Sequence, residues 1–307
     1  MIVDDGLDGA ATVSRPPLAR ALWQTARPLQ WLKNLLVFAA PGAAGVLDDP
    51  SDMGKAVITF VACCLASSGL YFWNDALDVE SDRRHPAKRH RPIPAGQLGI
   101  TMAMVIGTGL IVAGLALAGA TGRWQTVAIV GVYVVSTMAY TLSLKHVAVV
   151  DLVVVASGFV LRAAAGAVAV DVGMSSWFVL CTVFGSLFIV TGKRYAELRE
   201  IGDGAAEIRR TLGSYTPGYL RIVLTVACGG ALLTYCQWAF ERKEMVGSDR
   251  PFYELSIVPM LTALLRYALV LENGKGAAPE EVFANDRVLQ LLGLCWVVLF
   301  GLAVYVR

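Results

Sequence analysis

Apolar residues run in long blocks along this chain, and polar residues gather between the blocks. A bilayer core takes about 20 mostly apolar residues per helix. Nine stretches approach that length: 34–47, 55–76, 99–119, 125–142, 147–170, 176–192, 218–240, 252–272 and 288–306. The pattern predicts an all-α integral membrane protein with nine transmembrane helices, forming a single domain over 1–307. Pro41 and Gly42 interrupt the first stretch, which predicts a bent or broken helix there. Residues 1–33 read as an N-terminal arm in which Trp23 and Trp31 fit an interfacial helix. Through Leu18 the arm carries Asp4, Asp5 and Asp8 but no basic region followed by an apolar run, so no cleaved signal peptide is expected.

Two connecting segments break the short-loop pattern, 75–98 and 193–217. In each, an apolar helix runs directly into charged sequence that keeps helical spacing, and a Pro or Gly marks the turn, as in a weak internal repeat. Most Lys and Arg fall on the side of the N-terminal arm and these two segments. The other side has only Lys55, Arg123, Arg242, Lys243, Arg250 and Arg307. The positive-inside rule therefore puts the N-terminus and both long segments in the cytoplasm, with the protein in the cytoplasmic membrane.

Composition agrees with lipid as the solvent: 56% of the 307 residues are hydrophobic and 16% charged, where a soluble domain carries about a quarter charged. The net charge of +2 gives no reason to expect nucleic acid. All six cysteines lie in apolar stretches without a CxxC pair, which suggests neither zinc nor a disulfide framework.

The strongest chemical signal is YFWNDALDVESDRRHPAKRHRPIP. On a helix, Asp75, Asp78 and Asp82 share one face over two turns, with Asn74 one turn before Asp78. Like charges at that spacing repel unless a cation sits among them, and hard oxygen donors suit Mg2+ together with a substrate diphosphate. Asn74, Asp75, Asp78 and Asp82 are thus candidate metal ligands, the three aspartates also candidate catalytic residues, and Lys88, Arg89 and Arg91 candidate phosphate contacts. The competing reading is a solvated juxtamembrane helix with a basic lipid anchor.

In the second segment Lys193, Arg194 and Glu197 stand at the mouth of the sixth stretch, where they serve anion binding or mark topology. Tyr140, Lys145 and Asp151 either wall a cavity on the same side or, for the first two, act as interfacial anchors. Arg162 lies far inside the fifth stretch, where an Arg costs about 2.5–3.5 kcal/mol and calls for an internal ion partner or a substrate. Arg27, Gln30, Lys33 and Asn34 precede the first stretch and either lie on the membrane or fold over the cavity.

The sequence NDALDVESDRRHPAKRHRPIPAG resembles the first aspartate-rich motif of the UbiA superfamily of intramembrane prenyltransferases. Within it, RPLQWLKN, HPAKRHRPI, GSLFIVTGKRYAEL and NDRVLQLL resemble the decaprenyl-phosphate phosphoribosyltransferase group, over nearly the whole chain. The resemblance implies a helical bundle with a central cavity facing the cytoplasm and a Mg2+-dependent glycosyl transfer. Its donor would be 5-phosphoribosyl 1-diphosphate (PRPP), its acceptor a polyprenyl (decaprenyl) phosphate in the membrane, and its product a precursor for cell-wall arabinan of arabinogalactan. Homotrimeric assembly is an expectation that the resemblance alone supplies. Typical members carry a second aspartate-rich motif where this chain has Lys193, Arg194, Tyr195 and Glu197, which implies a different donor and adds Tyr195 to the candidates. Two rivals stand beside this reading: a prenyltransferase moving an isoprenoid from its diphosphate to an aromatic acceptor, and a transporter whose path is lined by Asp151 and Arg162.

Overall fold

The computed structural model describes residues 17–86, 88–201, 211–247 and 249–306. Residues 1–16 of the arm and 202–210 of the second long segment lie outside them. Among the described residues every regular element is a helix, with no strand. A short amphipathic helix, α1 (Leu18–Ala26), leads into a 3-10 segment (Pro28–Phe38) and α2 (Ala39–Ala44). Then come α3 (Pro50–Leu77), α4 (Val79–Arg84), α5 (Ile100–Gly119), α6 (Trp124–Leu142), α7 (Val150–Ala169) and α8 (Ser176–Ile201). The chain closes with α9 (Pro217–Val246), α10 (Phe252–Glu272), α11 (Pro279–Asn285) and α12 (Arg287–Tyr305).

Eight of these helices are long and apolar enough to cross a membrane: α3, α5 to α10 and α12. The first of the nine expected spans is built differently. Residues 34–47 are shared between the 3-10 segment and α2, and the change falls at Phe38, before Pro41. Pro41 has no N–H to return to the carbonyl of Val37, so a regular α-helix cannot run through this point. Large apolar side chains such as Val105, Val112, Leu233 and Leu291 point outward on the other helices, as lipid contact requires.

Helix starts follow the local sequence. Asp49 caps α3, with Pro50 at its first position, by accepting from the backbone N–H groups of Ser51 and Asp52. Thr216 caps α9 ahead of Pro217, and Asp286 caps α12 while also holding Arg266. Inside lipid the helices gain little from apolar burial against each other, so association relies on close packing at small residues. A Cβ on Gly69 of α3 would collide with the Gly107 carbonyl of α5, and one on Gly166 of α7 with the Val37 carbonyl of the 3-10 segment. The latter contact draws the N-terminal segment into the bundle.

The core has two main parts. One gathers Val37, Ala62, Leu70, Val130 and Tyr133 from the N-terminal half; the other gathers Leu152, Phe188, Leu224 and Leu264 from α7 to α10. Between these halves lies a cavity of about 270 Å³, walled by α3, α6, α7 and α8.

Candidate active site

The ends of α3, α6 and α8 and the start of α7 meet at one end of the bundle, and the charged residues meet there with them. Asp75, in the last turn of α3, is 1% exposed. It receives Arg27 from the N-terminal arm at 2.5 Å and Arg91 at 3.2 Å. Helix α3 stops at Leu77 and α4 begins at Val79, so Asp78 sits at a junction. Its carboxylate turns to Lys145, 2.5 Å away. Asp82, buried in α4, takes Arg91 at 2.7 Å and has Lys88 at 3.8 Å. Burial raises the Asp82 carboxyl above its usual range, against the opposing pull of Arg91 and Lys88. The single stripe of three carboxylates expected from spacing is therefore divided: Asp75 and Asp82 converge on one guanidinium, while Asp78 faces away to Lys145.

The second polar segment has the opposite charge order. Helix α8 continues unbroken past Lys193 and Arg194 to Ile201. Arg194 is 4% exposed and donates to Asp151 (3.2 Å), Glu197 (2.9 Å) and the Tyr140 hydroxyl (3.1 Å). Asp151 also accepts from the Tyr215 hydroxyl, which in turn receives the backbone N–H of Val149 at 2.6 Å. Val149 has φ +69°, costly for a β-branched residue, and this strained turn starts α7 where Asp151 can reach Arg194. Lys193 lies 3.9 Å from Glu197.

The cavity receives Arg27, Lys33, Asn74, Tyr140, Lys193 and Arg194 around its charged end, and Arg162 deeper within. Gln30 and Lys33 reach across to Glu280 of α11, which closes the arm over this end. Burial lowers the Lys33 amine; Glu280 opposes this, while Arg162 and Arg27 add to it. Arg162 donates to Asn34 Oδ1, the Gly158 carbonyl and the Tyr133 hydroxyl at 2.6, 2.7 and 2.8 Å. No carboxylate among the described residues pairs with it. The internal ion pair considered for Arg162 is thereby replaced by three neutral acceptors.

Of the residues singled out from sequence, Lys33, Asn74, Tyr140, Arg162, Lys193 and Arg194 line the cavity. Asp75, Asp78, Asp82, Lys88, Arg91, Lys145, Asp151 and Glu197 form the ion-pair layer beside it. Arg89 is exposed and meets His90. Tyr195 is buried on another side of α8, where its hydroxyl donates to Glu272 at 3.0 Å and accepts from Arg221. It does not line the cavity. Sequence reasoning left out Tyr71 and Tyr133, although each shares a helical face with a residue it did select: Tyr71 precedes Asn74 by three and Tyr133 precedes Tyr140 by seven. Nothing in the sequence signalled Glu280.

Comparison with known proteins decides the family. Residues 35–289 match the UbiA prenyltransferase family. The chain belongs to that family. Its UbiA fold is shared with a homologue from Archaeoglobus fulgidus solved bound to GPP and Mg2+, at a TM-score of 0.70 and 15% identity, covering 94% of this chain and 100% of that one. Curated relatives, among them the following two, are named decaprenyl-phosphate phosphoribosyltransferase. The Mycobacterium tuberculosis protein is 44% identical over 95% of this chain and 97% of its own length. The Corynebacterium glutamicum protein is 43% identical over 95% and 90%.

The UbiA fold raises the question of a divalent metal. Among the described residues no three His, Cys, Asp or Glu side chains gather closely enough to hold one alone. Mg2+, however, commonly takes only one or two carboxylates and fills its shell with water and substrate phosphate oxygens. Asp75 and Asp82 already meet on one positive point, the Arg91 Nη1, in a buried setting. The residues fit Mg2+ of that kind, with Asp78 and Asn74 at the edge.

Proposed function

We propose that this UbiA-family protein transfers 5-phosphoribosyl from PRPP to a polyprenyl phosphate such as decaprenyl phosphate, releasing pyrophosphate, at the cytoplasmic face of the membrane. The supporting observation is the pair of cations that the second helix end carries. Where a lipid diphosphate would call for a second acidic metal site, α8 presents Lys193 and the buried Arg194 to the cavity. The names of the 43% and 44% identical relatives agree with this reading. The same site would serve the arabinan pathway that the resemblance implies.

When bound, Mg2+ would supply positive charge to the departing pyrophosphate. Asp75 and Asp82 would hold it, and Asp78 would fix Lys145 beside the diphosphate. Arg27 and Arg91, each resting on Asp75, are placed to turn to phosphate oxygens when these arrive. Lys33 and Lys193 both line the cavity and would neutralise the donor's remaining charge. Tyr140 and Asp151 keep Arg194 oriented. The acceptor phosphate is anionic near neutral pH, so an oxygen can attack ribose C1 as the C1–O bond to pyrophosphate breaks, with no general base needed. Catalysis then rests on positioning and on charge stabilisation at the leaving group.

The test is direct. Purified protein incubated with Mg2+, polyprenyl phosphate and ribose-labelled PRPP should yield a labelled, chloroform-extractable product that disappears with EDTA. Folded protein that makes none, yet transfers a prenyl group from prenyl diphosphate to an aromatic acceptor, would replace this reading with the prenyltransferase one.

A further inference from the structure

Arg162 stands apart from every other cation around the cavity. Arg27, Lys33, Lys193 and Arg194 each lie beside a carboxylate, whereas among the described residues Arg162 has only neutral partners. It is 7% exposed and lies eleven residues along α7 from Asp151, about 16 Å deeper into the bundle by helical rise. A buried cation without a counter-charge is costly, so a purely structural staple at this depth would be better served by an acid or by an apolar residue.

Its surroundings hold it still without using it up. The guanidinium lies over the Tyr133 ring at 4.4 Å, with Phe159 at 5.8 Å. Asn34 is fixed in turn, because its amide donates to Ser67 Oγ at 3.3 Å and to Cys64 Sγ at 3.2 Å, which leaves Oδ1 to face Arg162. Three of the five N–H groups are committed. Two remain, one on each terminal nitrogen, and the residue lines the cavity. A forked pair of donors on a rigid cation is the arrangement that takes two oxygens of a phosphate.

We infer that Arg162 forms the inner anchor of a phosphate monoester at the floor of the cavity. The inference rests on the proposed reaction for the origin of that group. Two of its participants carry a phosphate monoester: the donor, through its 5-phosphate, and the lipid acceptor. On either assignment the pyrophosphate stays at the Asp75–Asp82 end and Arg162 sets the distance from there to the second anion.

The test uses the full-length protein in detergent with three variants. Arg162→Lys keeps the charge but loses the fork, Arg162→Met removes both, and Asn34→Asp supplies the missing counter-charge internally. Inorganic phosphate is titrated first, read as a rise in thermal midpoint. In each variant that folds, the phosphate concentration for half-maximal protection should rise at least about tenfold. Asn34→Asp should hold its unliganded midpoint, since it pairs the buried cation. In turnover, the KM for one substrate should rise by a similar factor with the other unchanged. If the donor is the source, ribosyl 1-diphosphate lacking the 5-phosphate should no longer distinguish wild type from Arg162→Lys; if the acceptor is the source, the polyprenyl phosphate KM moves instead. Unchanged phosphate protection in Arg162→Lys and Asn34→Asp would overturn the inference and leave Arg162 a staple. A wild type that is inert toward both substrates would remove the proposed reaction, while the phosphate titration would still judge the anchor.

Discussion

The two charged helix ends, at the close of α3 and in the last turns of α8, are inversions of one another. At the first, Asp75 and Asp82 are buried, Asp78 is half-buried, and cations reach in from elsewhere: Arg27 and Arg91 to Asp75, Lys145 to Asp78, Arg91 to Asp82. At the second, the cation is buried and acids come to it: Asp151 and Glu197 to Arg194. A buried acid pair sharing one cation suits an exchangeable metal with a diphosphate. A buried Arg locked by two acids and a tyrosine suits a fixed wall of the cavity. The inversion makes the two sides of the cavity's charged end chemically different.

Mutations at the first end should break this division most severely. Asp75→Asn and Asp82→Asn should each lower turnover by about 10²–10³-fold or more in the labelled-PRPP assay, because both the metal and the cations gathered around it lose their holder. Asp78→Asn, which loses the hold on Lys145, should lower turnover by about tenfold or more with the fold intact by circular dichroism; wild-type rates in that variant would remove the Asp78–Lys145 pair from the mechanism. At the second end the effect should first be on stability. Asp151→Asn leaves Arg194 with a lost buried partner and should cost about 3 kcal/mol, read as a lowered thermal midpoint. Lys193→Ala should be milder, since its carboxylate contact is 3.9 Å away: donor KM up about tenfold, midpoint unchanged. Smallest of all should be Glu280→Gln, which loosens the arm held by Gln30 and Lys33 and should change donor KM by a few fold.

Much of this was readable from the chain alone, and the failures have physical causes. Span length and apolar run give the helices because lipid allows few other solutions. The first stretch is a broken helix, as Pro41 and Gly42 predict, and passes from 3-10 to α2 at Phe38 without becoming a long apolar helix. Spacing found Asp75, Asp78 and Asp82, but it assumed one helix where the chain breaks between Leu77 and Val79, and so put Asp78 with its neighbours. Tyr195 could have been excluded by the same periodicity that selected Lys193 and Glu197, since it lies about 200° around the helix from Lys193. Glu280 and the neutral setting of Arg162 depend on contacts between segments far apart in sequence, where one-dimensional pattern carries no signal.

The central claim is that Asp75 and Asp82 bind the donor through a divalent metal. Calorimetric titration of PRPP into the purified protein tests it without need of the lipid substrate. With Mg2+ present, wild type should take up PRPP in a saturable step, and this heat should vanish with EDTA and in Asp75→Asn and Asp82→Asn. Uptake of equal affinity with and without the metal, or in those variants, would contradict it.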